Sequence, residues 1–242
     1  MKLAAVQYRP PHGRPEQARE ELRALVLRAE DVDLVVCPEM ATTGYVFENA
    51  EEIRPLAEKA RGPTFQMLSE CAKTLGAWVV CGFAESGNHA LYNSAMTISP
   101  SGELVNCYRK VLLYELDETW AEAGEDRPVI QAGSLGRLTP AICMDLNDDR
   151  FGLHLRVKQP DVVAFCTNWV DEDLDILSYW RMRLFGWQGW MVASDRWGTE
   201  RGVRFYGRSA ILGPQGRVLG VLPATGDGVL YGETQTGKTE LR

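Results

Sequence analysis

Short apolar runs alternate with amphipathic stretches along most of the chain. The run Leu3-Ala4-Ala5-Val6-Gln7-Tyr8 reads as a strand. Pro15 then opens a helix in which Ala18, Leu22, Leu25, Val26 and Ala29 keep one face. A strand at 34–37 precedes an irregular stretch through Gly44, and a helix is predicted over 64–76. Strand 77–83 leads into a hairpin of 91–99 with 103–110, turned at Pro100-Ser101-Gly102. A polar loop covers 113–127. Strand 138–143, a helix near 149–158, strand 161–166, a helix near 173–186 and strand 190–194 make a second βαβ series. The end reads as all-β: 205–212, the turn Gly213-Pro214-Gln215-Gly216, 217–222 and 228–232. No Pro/Gly/Ser-rich linker and no fixed-period repeat interrupts this order. One α/β domain over 1–242 is expected, with mixed sheets, outer helices and a polar, frayed tail from about 233.

Composition narrows the partners. The chain has 242 residues, 45% of them hydrophobic and 24% charged, enough for a sizeable core. A net charge of −7 with no basic stripe argues against nucleic acid. The apolar runs are too short to cross a bilayer. The amino terminus has one Lys and then a strand pattern, without the apolar core and cleavage site of a signal peptide, so a cytoplasmic location is expected. Cys37, Cys71, Cys81, Cys107 and Cys166 lie in apolar patterns and read as small buried hydrophobes. With no Cys-x-x-Cys pair and three histidines, no metal site is expected, and no cofactor is called for. The segment Gly232 to Thr239 matches the phosphate-loop pattern G-x-x-x-x-G-K-[ST]. Only Glu240, Leu241 and Arg242 follow, too few for the helix that such a loop needs, so it reads as tail.

Three strand ends carry chemistry. Cys143 closes the run Leu138-Thr139-Pro140-Ala141-Ile142 and is followed by Asp145, Asp148 and Asp149. A thiol at the carboxyl end of a buried strand is where α/β folds put a nucleophile. Glu39 follows Leu34-Val35-Val36-Cys37-Pro38, and Lys110 follows Leu104 to Arg109. A thiol needs a base, because the thiolate attacks and free Cys has a pKa of about 8.5. None of His12, His89 and His154 is placed to serve. A desolvated carboxylate with raised pKa can do the work, and a nearby ammonium stabilises both thiolate and oxyanion. Glu39 and Lys110 fit those parts, which suggests covalent acyl transfer.

The same residues resemble the nitrilase superfamily of carbon–nitrogen hydrolases. Cys37-Pro38-Glu39-Met40-Ala41-Thr42-Thr43-Gly44-Tyr45 resembles its Glu-block, Tyr108-Arg109-Lys110-Val111 its Lys-block, and Ile142-Cys143-Met144-Asp145 its Cys-block. Thr167-Asn168-Trp169, Arg183 before Ser194-Asp195-Arg196, and Phe205-Tyr206-Gly207-Arg208-Ser209 with Pro214-Gln215-Gly216 follow in the family's order. The resemblance covers nearly the whole chain. It implies a four-layer α-β-β-α sandwich with two mixed β-sheets and outer helices, assembled as a homodimer or higher homo-oligomer. It also implies Glu39 as general base, Lys110 as oxyanion-stabilising cation, Cys143 as nucleophile and the Met144 N–H as an oxyanion donor. A second glutamate in the loop after the Lys matches Glu118, with Glu115 the alternative. Leu112 stands where the family often has His, Gly186-Trp187 replaces a frequent Glu-Asn pair, and Leu146-Asn147-Asp148-Asp149 replaces aromatic-Pro-Glu.

The expected substrate is a small linear amide, hydrolysed through a thioester with release of ammonia; a nitrile is the alternative. The Ile142 to Asn147 wording looks like that of amidases acting on amino-terminal Asn or Gln. Tyr45, Asn168 and Trp169, on loops after strand ends, are expected pocket walls. Arg181, Arg183, Arg201 and Arg204 could greet a substrate carboxylate, although such residues more often pair with acids. A non-catalytic binder on the same fold and a redox sensor centred on Cys143 are the rivals.

Overall fold

The computed structural model describes residues 1–234. The first half runs β1 (Lys2–Gln7), α1 (Pro15–Leu27), β2 (Leu34–Val36), the single turn α2 (Ala50–Ile53), α3 (Pro63–Leu75), β3 (Trp78–Ser86), β4 (Leu91–Ile98) and β5 (Leu104–Arg109). The second runs α4 (Glu115–Glu118), β6 (Ile130–Gln131), β7 (Arg137–Ile142), α5 (Asp149–Lys158), β8 (Val162–Thr167), α6 (Ile176–Arg183) and β9 (Trp190–Asp195). Five strands follow: β10 (Trp197–Glu200), β11 (Val203–Tyr206), β12 (Ala210–Leu212), β13 (Val218–Val221) and β14 (Gly228–Glu233).

Two six-stranded sheets result, ordered β14-β1-β2-β3-β4-β5 and β13-β12-β9-β8-β7-β6. Each is parallel at its centre, β1-β2-β3 in one and β7-β8-β9 in the other, with antiparallel strands outside. Both faces of the central strands are buried, which explains their unbroken apolar runs. In β1, Leu3 and Ala5 face the other sheet and pack with Leu138, Ile142, Val162, Ala164 and Val192. Ala4 and Val6 face the opposite way, onto Leu22, Leu25 and Val26 of α1 and Leu68 and Ala72 of α3. Phe151 and Leu155 of α5 and Ile176 and Trp180 of α6 cover the outer face of the second sheet. The layers are α-β-β-α, as expected. All three central parallel strands of each sheet point their carboxyl ends to one edge, and that edge holds the chemistry.

Three expectations need correction. Residues 205–212 are not one strand. Gly207 and Arg208, both left-handed at φ 64° and 53°, turn the chain, so β11 pairs back on β10 and β12 joins the sheet separately. The loop 113–127 contains the one-turn helix α4. Residues 233 and 234 are ordered by the sheet and not part of a frayed tail: Glu233 ends β14, and the Thr234 N–H donates to the Met1 carbonyl at 2.8 Å. From Gln235 onward, the tail and the phosphate-loop look-alike lie outside the described residues. Among the described residues no helix is long and apolar enough to cross a membrane.

Candidate active site

Each reactive side chain is set by backbone geometry at a strand end. After β2, residues 38–41 fold over Gly82 of β3: the Gly82 N–H donates to the Pro38 carbonyl at 3.1 Å, and the Ala41 N–H to the Gly82 carbonyl at 2.9 Å. A Cβ at Gly82 would stand 2.4 Å from the Glu39 Cα, so only glycine permits this approach. The Lys110 N–H continues the ladder beyond β5, donating to the Asn93 carbonyl at 2.8 Å. Cys143 follows β7 at φ 37°, a left-handed conformation that costs a non-glycine residue about 1–2 kcal/mol. Asp145 anchors that turn. Its carboxylate accepts the Ile142 N–H at 2.8 Å, the Val111 and Leu112 N–H groups at 3.2 Å each, and the Tyr108 hydroxyl at 2.6 Å. The cysteine strand end is thereby tied to the lysine strand end.

Glu39, Lys110 and Asp117 form one fully buried cluster. The Lys110 Nζ lies 2.7 Å from Glu39 Oε1 and 2.5 Å from Asp117 Oδ2. Asn93 Nδ2 bridges the two carboxylates, at 2.7 Å to Glu39 Oε1 and 3.0 Å to Asp117 Oδ1. The Asn168 N–H donates to Glu39 Oε2 at 2.9 Å, and its carboxamide to the Glu39 carbonyl at 2.9 Å. Burial pushes the Glu39 pKa up, Lys110 opposes this, and the Asp117 charge adds to it; the net shift is upward. Burial works against the Lys110 ammonium, but Asp117 and Glu39 outweigh it and raise that pKa. Burial also drives the Cys143 thiol well up, reinforced by Glu39 and opposed by Lys110. A resting thiol beside a carboxylate of raised proton affinity can hand over its proton as it attacks.

Cys143 opens into a cavity of about 90 Å³ lined by Tyr45, Tyr114, Met144, Asn147, Asn168, Trp169, Val170 and Glu172. At about 30 Å³ per water, it holds roughly three waters, or a carboxamide with a short stem. Tyr45, Met144, Asn168 and Trp169 are therefore all at its wall. The Asn168 backbone N–H and Nδ2 are spent on Glu39, while its Oδ1 has no partner among the described residues, and Trp169 packs against Phe165, Tyr179 and Trp180 with ring centroids 5.6–6.3 Å apart. A larger groove of about 570 Å³ runs beside the Glu85–Arg109 ion pair. It does not include Cys143, so the small cavity is the reactive one. No histidine lines that cavity: His12 sits on Phe47 and beside Glu200, His89 is exposed, and His154 lies on α5.

The acid that the fold brings to Lys110 from this loop is Asp117, not Glu118 or Glu115. Both glutamates are exposed, whereas Asp117 is buried against Lys110. On the single turn of α4, Asp117 shares a face with Trp120 three residues on, and Trp120 is buried. That apolar neighbour was the available signal. Asn93 carried none, being one polar residue inside a strand. Glu200, also unforeseen, accepts the Tyr45 and Val46 N–H groups at 2.7 and 2.6 Å and pairs with the buried Arg196 at 2.9 Å. The β10–β11 hairpin thus holds the Tyr45 loop in place.

A family model for carbon-nitrogen hydrolase matches residues 2–241. The chain belongs to the carbon-nitrogen hydrolase family. It is 30% identical to the protein N-terminal amidase of Schizosaccharomyces pombe, over 97% of this chain and 100% of that protein. It is 31% identical to a nitrilase of Pyrococcus abyssi, over 93% of this chain and 86% of that one. Among solved structures, an amidase of the nitrilase superfamily from Nesterenkonia AN1 superposes with a TM-score of 0.82 at 21% identity, covering 96% of this chain and 89% of that one. An N-terminal amidase with an Asn-Glu-Ala peptide gives 0.84 at 16% identity, covering 97% of each. These two likenesses carry the fold alone. As a member of the family, this chain is a cysteine-dependent carbon–nitrogen hydrolase of the amidase type.

Proposed function

We propose that the enzyme hydrolyses a small primary carboxamide through a thioester on Cys143. Glu39 takes the thiol proton as sulfur attacks the amide carbon. Lys110 and the Met144 N–H hold the oxyanion. The C–N bond breaks, ammonia leaves with a proton from Glu39, and water activated by Glu39 then cleaves the thioester to the acid and free thiol. Asp117 takes the part expected of Glu118: it keeps Lys110 charged and raises the proton affinity of Glu39. Tyr45 and Trp169 wall the acyl group, and Asn168 holds Glu39 in line. The observation carrying this reading is the buried Glu39–Lys110–Asp117 cluster behind a cavity that opens at Cys143. The N-terminal amidase matched over its whole length supports amide over nitrile. Ammonia release across a panel of amides and nitriles, with intact-protein mass spectrometry, is the test. An acyl adduct on the native enzyme that Cys143→Ala lacks is expected. Native-rate ammonia release by Cys143→Ala would end the scheme.

The same reading takes residues 1–242 as one catalytic domain that works as a homodimer in the cytoplasm. Leu153 and Val157 on α5, with Met182 and Phe185 on and after α6, are 56%, 67%, 59% and 79% exposed, an apolar patch suited to a second copy. All six cysteines are unpaired, which supports a reducing compartment.

A further inference from the structure

The four arginines with a possible role in greeting an anionic substrate are absent from the cavity lining. Arg183 donates to the Leu146 carbonyl at 2.8 Å and pairs with Asp149 at 3.0 Å. Arg201 pairs with Glu52, and Arg181 packs beside Gly216. Arg204 takes both Asp171, at 3.0 Å, and Asp173, at 2.5 Å. Glu172 lies between those two acids. Val170 bridges to Phe205, so the segment is extended there, and the acids on either side of Glu172 turn to Arg204. Glu172 is left facing the cavity, and among the described residues it makes no ion pair and no hydrogen bond.

We infer that Glu172 is a specificity carboxylate that receives an ammonium group on the substrate, placed a short stem away from the amide carbon. This rests on the amidase reading of the Cys143 site. Two observations besides the unpaired carboxylate point the same way. Three of the cavity walls, Tyr45, Tyr114 and Trp169, are aromatic, and the face of an aromatic ring attracts a cation and repels an anion. The charged cluster behind the nucleophile holds two carboxylates, Glu39 and Asp117, and one ammonium, Lys110, so it carries no surplus positive charge with which to hold an acid. An anionic amide entering this cavity would meet negative charge at both ends, whereas an amide with an ammonium meets a partner at the mouth. Two sources share this chemistry: the amino terminus of a peptide that begins with Asn or Gln, and a free amino-amide.

The experiment measures ammonia release from matched pairs that differ in one positive charge: β-alaninamide against propionamide, and Asn-Gly-Gly against its N-acetyl form. The native enzyme is expected to favour the charged member by about fivefold to tenfold in kcat/KM, chiefly through KM, the size of a partly exposed charge contact. Glu172→Gln should bring that ratio close to one, and Glu172→Lys should invert it. Preference confined to the tripeptide pair assigns a peptide terminus as the source, and preference in the β-alaninamide pair a free amino-amide. The ratio is insensitive to any general loss of active protein. A native ratio near one, or a ratio that survives both substitutions, overturns the role of Glu172 while leaving the amidase reading intact. No ammonia from any of the four amides overturns both.

Discussion

Replacing Asp117 with Asn tests the electrostatic core of the site. Lys110 Nζ is 2.5 Å from Asp117 Oδ2 and 2.7 Å from Glu39 Oε1, so those two carboxylate oxygens are at most about 5.2 Å apart. At that distance and an effective dielectric of about 20, two negative charges repel by roughly 3 kcal/mol. Glu39 acts as a base only when ionised, so activity persists above its pKa and is lost as pH falls through it. Burial and the Asp117 charge raise that pKa, which places the acid limb of native kcat/KM above the value of about 4.3 for an ordinary glutamate. Asp117→Asn removes the repulsion and releases Lys110 to interact more closely with Glu39. Both changes lower the Glu39 pKa. The acid limb is therefore expected to move down by about one to two pH units, with a lower plateau because Glu39 becomes a weaker base. The assay is initial-rate ammonia release at low substrate across pH, with a thermal melt at each pH to exclude unfolding. An acid limb that stays in place, in a folded variant, would show that Asp117 does not set the proton affinity of the base.

Two further outcomes follow from packing. Gly82→Ala should lose at least about a hundredfold in kcat/KM and about 1–3 kcal/mol of stability, because its Cβ would meet the Glu39 Cα at 2.4 Å and the Pro38 carbonyl at 2.8 Å, and backbone cannot swing aside. Near-native rates from this variant would mean that the Glu39 loop tolerates displacement. If the proposed homodimer forms through α5 and α6, Phe185→Glu, at a position 79% exposed, should give a monomer by light scattering, and a native protein that is already monomeric at micromolar concentration would remove that proposal.

The central strands were legible because burial on both faces demands continuous apolar runs, which stand out against the amphipathic helices between them. Glu39 and Cys143 stood out for a related reason, each following a buried apolar run, whereas Lys110 follows the half-exposed edge strand β5 and stood out by the resemblance of its Tyr108-Arg109-Lys110-Val111 block. The parts that escaped are those where an element is too short to show a period. The single turn of α4 has one inward position, and three acids, Glu115, Asp117 and Glu118, compete for it. Resemblance favoured Glu118, with Glu115 the alternative, but it is Asp117 that is buried, three residues before the buried Trp120. The β10–β11 hairpin was missed because a left-handed pair at Gly207 and Arg208 breaks a run that looks continuous.

The sequence by itself determined the layered fold, the family and the order in which Glu39, Lys110 and Cys143 follow their strands, since these depend on local burial patterns and on residue types at strand ends. Tertiary structure alone decided which acid holds Lys110, that Asn93 and Asn168 fix Glu39 from residues 54 and 129 positions away, and that Glu200 pins the Tyr45 loop from 155. It also decided that Arg204 is used up by Asp171 and Asp173, while Glu172 faces the cavity. The physical reason is the same in each case. A charge takes its character from the partners within a few ångströms, and packing brings those partners from distant parts of the chain.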